Sequence, residues 1–320
     1  MNCEIKGVGL YLPRKILSNH ELSTRVDTTD EWIKQRVGIE VRHIADASET
    51  NLYMAEQAAA MALANSSIKA EALNLIILAT STPDQFMPSM AVQLAAKLGA
   101  FCPAFDLNAA CGGFVYALHV AKQFFAANAA EHILVLGSEL MSRVLDWQDR
   151  GTCVLFGDGA GAVLLSKSKA HNFIDSKIYS DGRYCELLNV SPHFRHDPFV
   201  GPMQTPRLSM EGSKVFRFAV ETLEQLVEDM LQSNHLDKSQ IDWLIPHQAN
   251  ARIIAATAKK LNLSMDKVIL TLPEHGNTTA ASIPLALAQG ILDGRIKRGD
   301  LLLLEAFGAG FVWGANLIRY

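Results

Sequence analysis

Two kinds of hydrophobic spacing alternate along the chain. Met54, Ala58, Met61 and Ala62 recur at helical intervals and predict an amphipathic helix, which leads through "SSIKAEALN" into the strand-like "LIILATS". Phe216, Ala219, Leu223, Leu226, Val227 and Met230 form a second helical stripe, and "NHLDKSQID" carries it into "WLIPHQ". Each unit then offers a strand or loop feeding a helix: "AFDLNAACGGFVYALHVA" in the first, "VILTLPEHGNTTAASIPLALAQGI" in the second. Each ends on paired glycines in β-rich sequence, "VLFGDGAGAVLLS" and "LLLLEAFGAGFVWGANLIRY".

The two runs read as one duplicated unit. Pairing Asn74 with Asp242, Cys111 with Asn277 and Phe156 with Phe307 gives offsets of about 150–170 residues, the size of half the chain. Strands alternating with helices in both units predict α/β layers, one half spanning residues 1–170 and the other 171–320. Packed face to face, the halves bring equivalent turns together near a pseudo-twofold axis. Cys111 then meets residues near 247 and 277.

Composition narrows the function classes. The 320 residues are 49% hydrophobic and only 19% charged, which suits a large buried core. Twenty-nine Lys and Arg against 33 Asp and Glu leave a net charge of -4 without a long basic run, so no nucleic-acid partner is expected. Five widely spaced cysteines, Cys3, Cys102, Cys111, Cys153 and Cys185, fit neither a disulfide framework nor paired CxxC metal ligands, and point to a reducing cytoplasm with no metal site. Neither a signal peptide nor a membrane span is expected, because every apolar stretch is interrupted by Asn, Thr, Pro or charge.

Among these cysteines Cys111 has a distinctive setting. It falls at the seam between an apolar strand and a helix carrying Phe114, Leu118, Ala121 and Phe125, where unpaired N–H groups favour a thiolate. Gly112 and Gly113 permit a close approach there by backbone or substrate. The other four cysteines read as buried, inert thiols. His247 in "IPHQANARI" sits at a strand end, where α/β folds gather function. Asn277 in "EHGNTTAASIP" shares its loop with His275, and spacing alone leaves either as the partner. The clusters "FGDGAGA" and "FGAGF" lack the GxGxxG strand-to-helix context of a nucleotide site and are expected to form tight β turns.

With Cys111, His247 and Asn277 assembled, the chain resembles the β-ketoacyl-[acyl-carrier-protein] synthase III family of the thiolase-like superfamily. The resemblance runs in order through "GVGLYLP", "DTTDEWIKQRVGI", "ACGGF", "DRGTCVLFGDGAGA", "MEGSKVFRFAV", "PHQAN", "HGNTTAASIP" and "EAFGAGFVWG". It implies a five-layered αβαβα fold of two duplicated halves and a Cys–His–Asn triad on Cys111, His247 and Asn277, in preference to His275. The implied oxyanion donors are the backbone N–H groups of Cys111 and Ala309.

The resemblance also implies a coenzyme A tunnel. Trp32 and Arg150 match residues that sandwich the adenine, with Thr28 and Arg36 nearby. Met210, Gly212, Phe216, Ala249, Asn250 and Ile253 match positions along the pantetheine arm. Lys214, Arg252, Lys259 and Lys260 match basic positions that dock an acidic carrier protein, and Arg252, Lys259 and Lys260 share one helix face. Met87 and Phe307 match the acyl pocket, Met87 reaching across a homodimer interface. The implied activity joins a short acyl-CoA to malonyl-carrier protein with loss of CO2, initiating type II fatty-acid synthesis. Coenzyme A enters only as the substrate's thioester, and no cofactor is implied.

Three positions depart from the family pattern. Ala309 replaces a glycine, so a left-handed backbone there carries strain. Val37 replaces a Thr, and Met87 replaces a Phe, which leaves primer length open. The rival readings are a secondary-metabolism condensing enzyme of the same superfamily, a cysteine acyl-CoA hydrolase using Cys111 and His247, and a non-catalytic acyl-CoA-binding subunit.

Overall fold

The computed structural model describes residues 2–191 and 206–320. Two sheets form its frame. The first is built from β1 (Asn2–Tyr11), β2 (Leu75–Ala79), β3 (Ala104–Leu107), β4 (His132–Leu140) and β5 (Asp158–Ser168), in the order β1-β5-β4-β2-β3. The second uses β6 (Phe173–Ser180), β7 (Trp243–Pro246), β8 (Leu301–Gly308) and β9 (Val312–Arg319), in the order β6-β9-β8-β7. β2 runs parallel to β3 and β4, and β7 parallel to β8, while the remaining pairings are antiparallel. The first four places of the first sheet are thus repeated in the second. At the fifth place a single parallel bridge joins Leu244 to Val268.

Strand alternation explains the layers. Along β2, Ile76 and Leu78 face one core while Leu75, Ile77 and Ala79 face another. The outer core of that sheet is closed by α2 (Asn51–Ser66) and α3 (Met90–Leu98). Its inner core holds α4 (Gly113–Ala126) and α7 (Ser282–Leu292), which also cover Leu302, Leu304 and Ala306 of β8. The opposite face of β8, through Leu301, Leu303 and Phe307, packs on α5 (Gly212–Ser233), α6 (Ala251–Lys260) and α1 (Asp30–Val37). The stacking is helix, sheet, helix, sheet, helix, as expected from the resemblance.

The duplication is sharper than the sequence pairing suggested, and part of that pairing shifts. Leu75 pairs with Ile133 in one sheet and Trp243 with Leu302 in the other, so counterparts in these strands lie about 169 residues apart. Asn74 and Asp242 keep their equivalence, each preceding the first strand of its parallel pair. Asn277 instead corresponds to Asn108, and Cys111 to Ala280. Asn108 Oδ1 accepts the Ala110 N–H at 3.2 Å, and Asn277 Oδ1 accepts the Thr279 N–H at 2.9 Å. Ala110 (φ 44°) and Thr279 (φ 48°) are both left-handed, and each opens a 3-10 turn that runs into an inner helix. Phe156 precedes β5, whereas Phe307 lies within β8, the counterpart of β4, so those two are not equivalents.

Other expectations change in detail. Met61 is 38% exposed, unlike its stripe neighbours Met54, Ala58 and Ala62, because the buried face of α2 is narrow and otherwise mostly alanine. Gly159 and Gly161 of "FGDGAGA" lie in β5, and Gly157 directly before it, not in a turn. A Cβ on Gly161 would come within 2.6 Å of the Leu285 N, so the strand needs glycine where α7 crosses it. "FGAGF" does form the β8–β9 turn. Cys185 is exposed, unlike the buried thiol expected there, because its short 3-10 segment lies at the surface.

The seam between halves has backbone against backbone. A Cβ on Gly137 of β4 would lie 2.2 Å from the Ala280 carbonyl oxygen. Gly137→Ala is therefore expected to destabilise the fold by about 1–3 kcal/mol through overpacking. Urea unfolding checks this, and an unchanged midpoint would contradict the seam.

Candidate active site

Cys111 sits in the 3-10 turn Ala110–Gly112 that leads directly into α4, and the helix start has no side-chain cap. Its free N–H groups therefore stay available at the site. The glycines after it serve packing. A Cβ on Gly112 would lie 3.2 Å from Val312, and one on Gly113 would lie 3.1 Å from Ala79 and 3.3 Å from Ala280. From the opposite half, Gly308 comes so close that a Cβ there would be 2.8 Å from the Cys111 N. Depth works against the expected thiolate. Burial, with a contribution from the Glu139 carboxylate, pushes the Cys111 thiol up to about 12. Its own backbone N–H opposes that shift without cancelling it, which leaves the thiol favoured at rest.

His247 follows β7 directly, and its N–H donates to the Glu305 carbonyl of β8 at 2.8 Å. Burial lowers the imidazole to about 3, so the ring is neutral. Its Nδ1 lies 2.6 Å from Ser282 Oγ, which also accepts the Gln248 N–H at 3.4 Å. The serine hydroxyl is free to donate to Nδ1, and in that arrangement the ring proton sits on Nε2.

Behind His247, the Gln248 side chain is fully engaged. It donates to the Pro246 and Ile269 carbonyls and accepts from the Thr271 and Leu272 N–H groups. Asn277 is fixed by backbone bonds, its N–H donating to the Leu155 carbonyl at 2.9 Å and its carbonyl accepting the Gly157 N–H at 3.0 Å. Since Thr279 takes its Oδ1, the amide NH2 is the end left to donate.

These three side chains line one cavity of about 700 Å³. Trp32, Arg36, Met210, Gly212, Phe216, Ala249, Asn250 and Ile253, all expected along a coenzyme A tunnel, also line it. Phe307 lies on its wall, beside Phe156, Leu155 and Leu188. His275 does not line it. That residue is buried in a separate short helix with its ring 6.2 Å from His43, and its imidazole falls to about 4 through burial and the His43 charge.

Other expected contacts stand differently. The Arg150 guanidinium lies over the Trp32 ring, 5.2 Å from its centroid, and donates to the Asp27 carbonyl at 2.7 Å. A purine between them needs about two stacking distances of roughly 3.5 Å each, so the arginine must swing outward to admit one. The Thr28 hydroxyl is buried without a partner among the described residues. Val37 is buried and lines the cavity, where it offers only apolar surface.

Ala309 avoids the strain expected of it, because the left-handed position of the turn falls on Gly310 (φ 136°). Met87 is 82% exposed and does not line the cavity of this single chain. Of the basic residues, Arg252 packs over the Phe216 ring at the cavity, Lys214 pairs with Glu211 at 2.6 Å, and Lys260 turns to Glu228 at 2.9 Å. Lys259 points outward. Among the described residues no group of His, Cys, Asp and Glu is arranged to hold a metal ion, and no helix is long and apolar enough to cross a membrane.

Sequence reasoning missed Ser282, Gln248, Glu139 and Glu305. The first two look like ordinary helix-start and loop residues. Glu305 carried a signal, as the single charge in the run "LLLLEAFG".

A duplicated α/β stack with a sulfur at one inner helix mouth, facing an imidazole and a carboxamide from the other half, defines a thiolase-like condensing fold. Known proteins agree. A model described as 3-Oxoacyl-[acyl-carrier-protein (ACP)] synthase III matches residues 105–182, and one for its C terminal matches residues 231–320. The beta-ketoacyl-[acyl-carrier-protein] synthase III of Xylella fastidiosa is 50% identical, covering 99% of this chain and 98% of that protein. The Neisseria gonorrhoeae protein of the same name is also 50% identical, covering 99% of both.

Among solved structures, 3-oxoacyl-[acyl-carrier-protein] synthase III from Aquifex aeolicus superposes with a TM-score of 0.93 at 43% identity, covering 99% of this chain and 100% of that one. The priming beta-ketosynthase of a polyketide pathway reaches 0.94 at 34% identity, covering 99% and 96%. The chain belongs to the β-ketoacyl-[acyl-carrier-protein] synthase III family.

The neutral imidazoles have a consequence for stability. Unfolded, His247 and His275 take up protons below about pH 6.5 that the folded rings refuse until about 3 and 4, so each drains stability as pH falls through that window. His275→Gln leaves the cavity lining intact and removes one drain. Denaturant unfolding should show the stability gap between variant and wild type moving in the variant's favour from about pH 7 to about pH 5. A gap independent of pH contradicts a buried neutral His275.

Proposed function

We propose that this protein performs the decarboxylative condensation of a short acyl-CoA primer with malonyl-carrier protein, giving 3-oxoacyl-carrier protein, coenzyme A and CO2, and so initiates type II fatty-acid synthesis. The observation that carries this reading is the shared cavity, which joins Cys111, His247 and Asn277 to a mouth carrying Trp32 and Arg36. Residues 1–170 contribute the nucleophile and residues 171–320 the two donors.

In the first half-reaction Cys111 Sγ attacks the thioester carbonyl as its proton leaves, the C–S bond to coenzyme A breaks, and an acyl-enzyme remains. The high thiol pKa makes the unacylated site stable toward stray electrophiles. In the second, malonyl-carrier protein enters and its carboxylate departs as CO2, leaving the bond's electron pair as an enolate. Nε2–H of His247 and the Asn277 amide N–H donate to the enolate oxygen. A neutral histidine suits this task, because an imidazolium would hold the carboxylate back. The enolate carbon then attacks the acyl carbonyl, whose oxyanion is received by the backbone N–H groups of Cys111 and Ala309.

The adenine binds between Trp32 and a displaced Arg150, with Thr28 and Arg36 alongside. Met210, Gly212, Phe216, Ala249, Asn250 and Ile253 guide the pantetheine arm. Lys214, Arg252, Lys259 and Lys260 receive the acidic carrier, Lys260 after leaving Glu228. A second copy pairs over the exposed loop carrying Met87, placing that side chain at the acyl pocket with Phe307. No cofactor takes part, and the reading places the enzyme in the cytoplasm.

Intact mass after exposure to a panel of acyl-CoAs is expected to show one acyl group, lost in Cys111→Ala, whose condensation rate falls by about a thousandfold or more. His247→Ala and Asn277→Ala should slow condensation by about 10²–10³ while loading changes far less. Equal collapse of loading and condensation would reject that division of labour. Faster turnover with malonyl-CoA than with malonyl-carrier protein would favour a secondary-metabolism condensing enzyme instead.

A further inference from the structure

The condensation needs a proton that neither substrate brings. When the acyl C–S bond breaks, its electron pair stays on Cys111 as a thiolate in a buried pocket. Loading is neutral in protons, since the thiol's proton ends on coenzyme A. Condensation is not, and for the site to return to its resting thiol one proton per turnover reaches the sulfur. His247 is a poor source, because its neutral ring would become an imidazolate. Arginine guanidinium does not give up a proton in proteins, which removes Arg36, Arg217 and Arg252 on the cavity wall.

A fourth group on that wall is suited to the task. Glu305 lies on β8, two residues before Phe307 on the same face, and lines the cavity with Cys111 and His247. It is 1% exposed, and both carboxyl oxygens lack a hydrogen-bond partner among the described residues. The Thr257 hydroxyl of α6, itself buried without a partner among the described residues, pulls the carboxyl pKa partly down. A carboxyl buried this way costs several kcal/mol if charged and far less if protonated. Structural convenience would favour another leucine in this run.

We propose that Glu305 donates the proton that converts the Cys111 thiolate back to the thiol at the close of each condensation, and recharges from solvent through the cavity. This rests on Cys111 being the nucleophile. In the step, the Glu305 O–H bond breaks, its electron pair remains on the carboxylate, and an S–H bond forms, directly or through one water. The carboxylate then takes a proton from solvent. Over a turnover one proton is consumed, as loss of CO2 from a malonyl carboxylate requires.

The energetics run in the right order. Burial raises the Glu305 carboxyl to about 8, so it is protonated at neutral pH and yields to a thiolate whose thiol lies at about 12. The titratable and charged groups facing the same cavity are Cys111, His247, Arg36 of α1, Arg217 and the exposed Glu221 of α5, and Arg252 of α6. Glu139, which bears on Cys111 from β4, is held instead by the Ser81 N–H and the Thr82 hydroxyl.

The test separates the first turnover from later ones. Enzyme pre-acylated on Cys111 is mixed with malonyl-carrier protein, and product is followed by rapid quench through the first and subsequent turnovers, in wild type and Glu305→Gln. The glutamine keeps the shape and removes the exchangeable acid. The expected result is a first turnover nearly equal in the two proteins and a multiple-turnover rate lower in the variant by about tenfold to a hundredfold. The wild-type multiple-turnover rate should fall as pH rises through about 8, with no such fall in the first turnover.

If Glu305→Gln does not fold, the wild-type comparison decides alone: an alkaline limb in both phases, or in neither, overturns the proposal. Equal multiple-turnover rates in a folded variant also overturn it. Absence of an acyl adduct on wild-type Cys111 is a different failure, which removes the nucleophile itself.

Discussion

The close approach of two halves through glycine is the constraint on which the site depends. β4 presses Gly137 onto the Ala280 carbonyl, α4 presses Gly113 onto Ala79 and Ala280, and β8 presses Gly308 onto the backbone of Cys111. No side chain fits at these contacts. Helices α4 and α7 are consequently held side by side in one layer, and each begins with a left-handed residue after an asparagine. One half spends its helix mouth on a sulfur. The other has alanine at that place and uses the preceding asparagine and a strand-end histidine instead, so a symmetric scaffold carries an asymmetric site.

Burial then sets the chemistry. The same low-dielectric surroundings keep Cys111 a thiol, His247 a neutral imidazole and Glu305 a carboxylic acid. None of the three carries charge at rest. In the reaction proposed for this site, a malonyl carboxylate entering such a space gains by leaving as CO2, and the negative charge that appears on the enolate oxygen meets donors already aimed and needing no reorganisation. Ser282 contributes by engaging Nδ1 of His247, which leaves Nε2 facing the cavity, and Gln248 by bracing the loop behind it.

Much of this was legible in the chain. The helical stripes, the strand "LIILA" buried on both faces and the cysteine at a strand-to-helix seam follow from spacing alone. Two offsets did not: the common spacing of about 169 puts Ala280, three places past Asn277, opposite Cys111, and Phe156 lies in a β4–β5 connection far longer than the β8–β9 turn. Asn108 and Asn277 share a turn whose signature is a backbone angle, which sequence does not display. For Cys111 a helix mouth is visible in sequence and depth of burial, which pushes the thiol up, is not. His275 and His247 looked alike until packing put only one of them on the cavity. Lys260 illustrates a further limit: its partner, Glu228, comes from another helix and draws it to an ion pair that spacing does not display.

If a neutral donor on Nε2 is what drives decarboxylation, the state of one ring decides the matter. ¹⁵N chemical shifts of His247 in histidine-labelled protein, assigned by comparison with His247→Ala, read both charge and tautomer. A neutral ring protonated on Nε2 across about pH 5 to about pH 8 is the predicted result, given an imidazole lowered to about 3. An imidazolium in that range, or a proton on Nδ1, would contradict it.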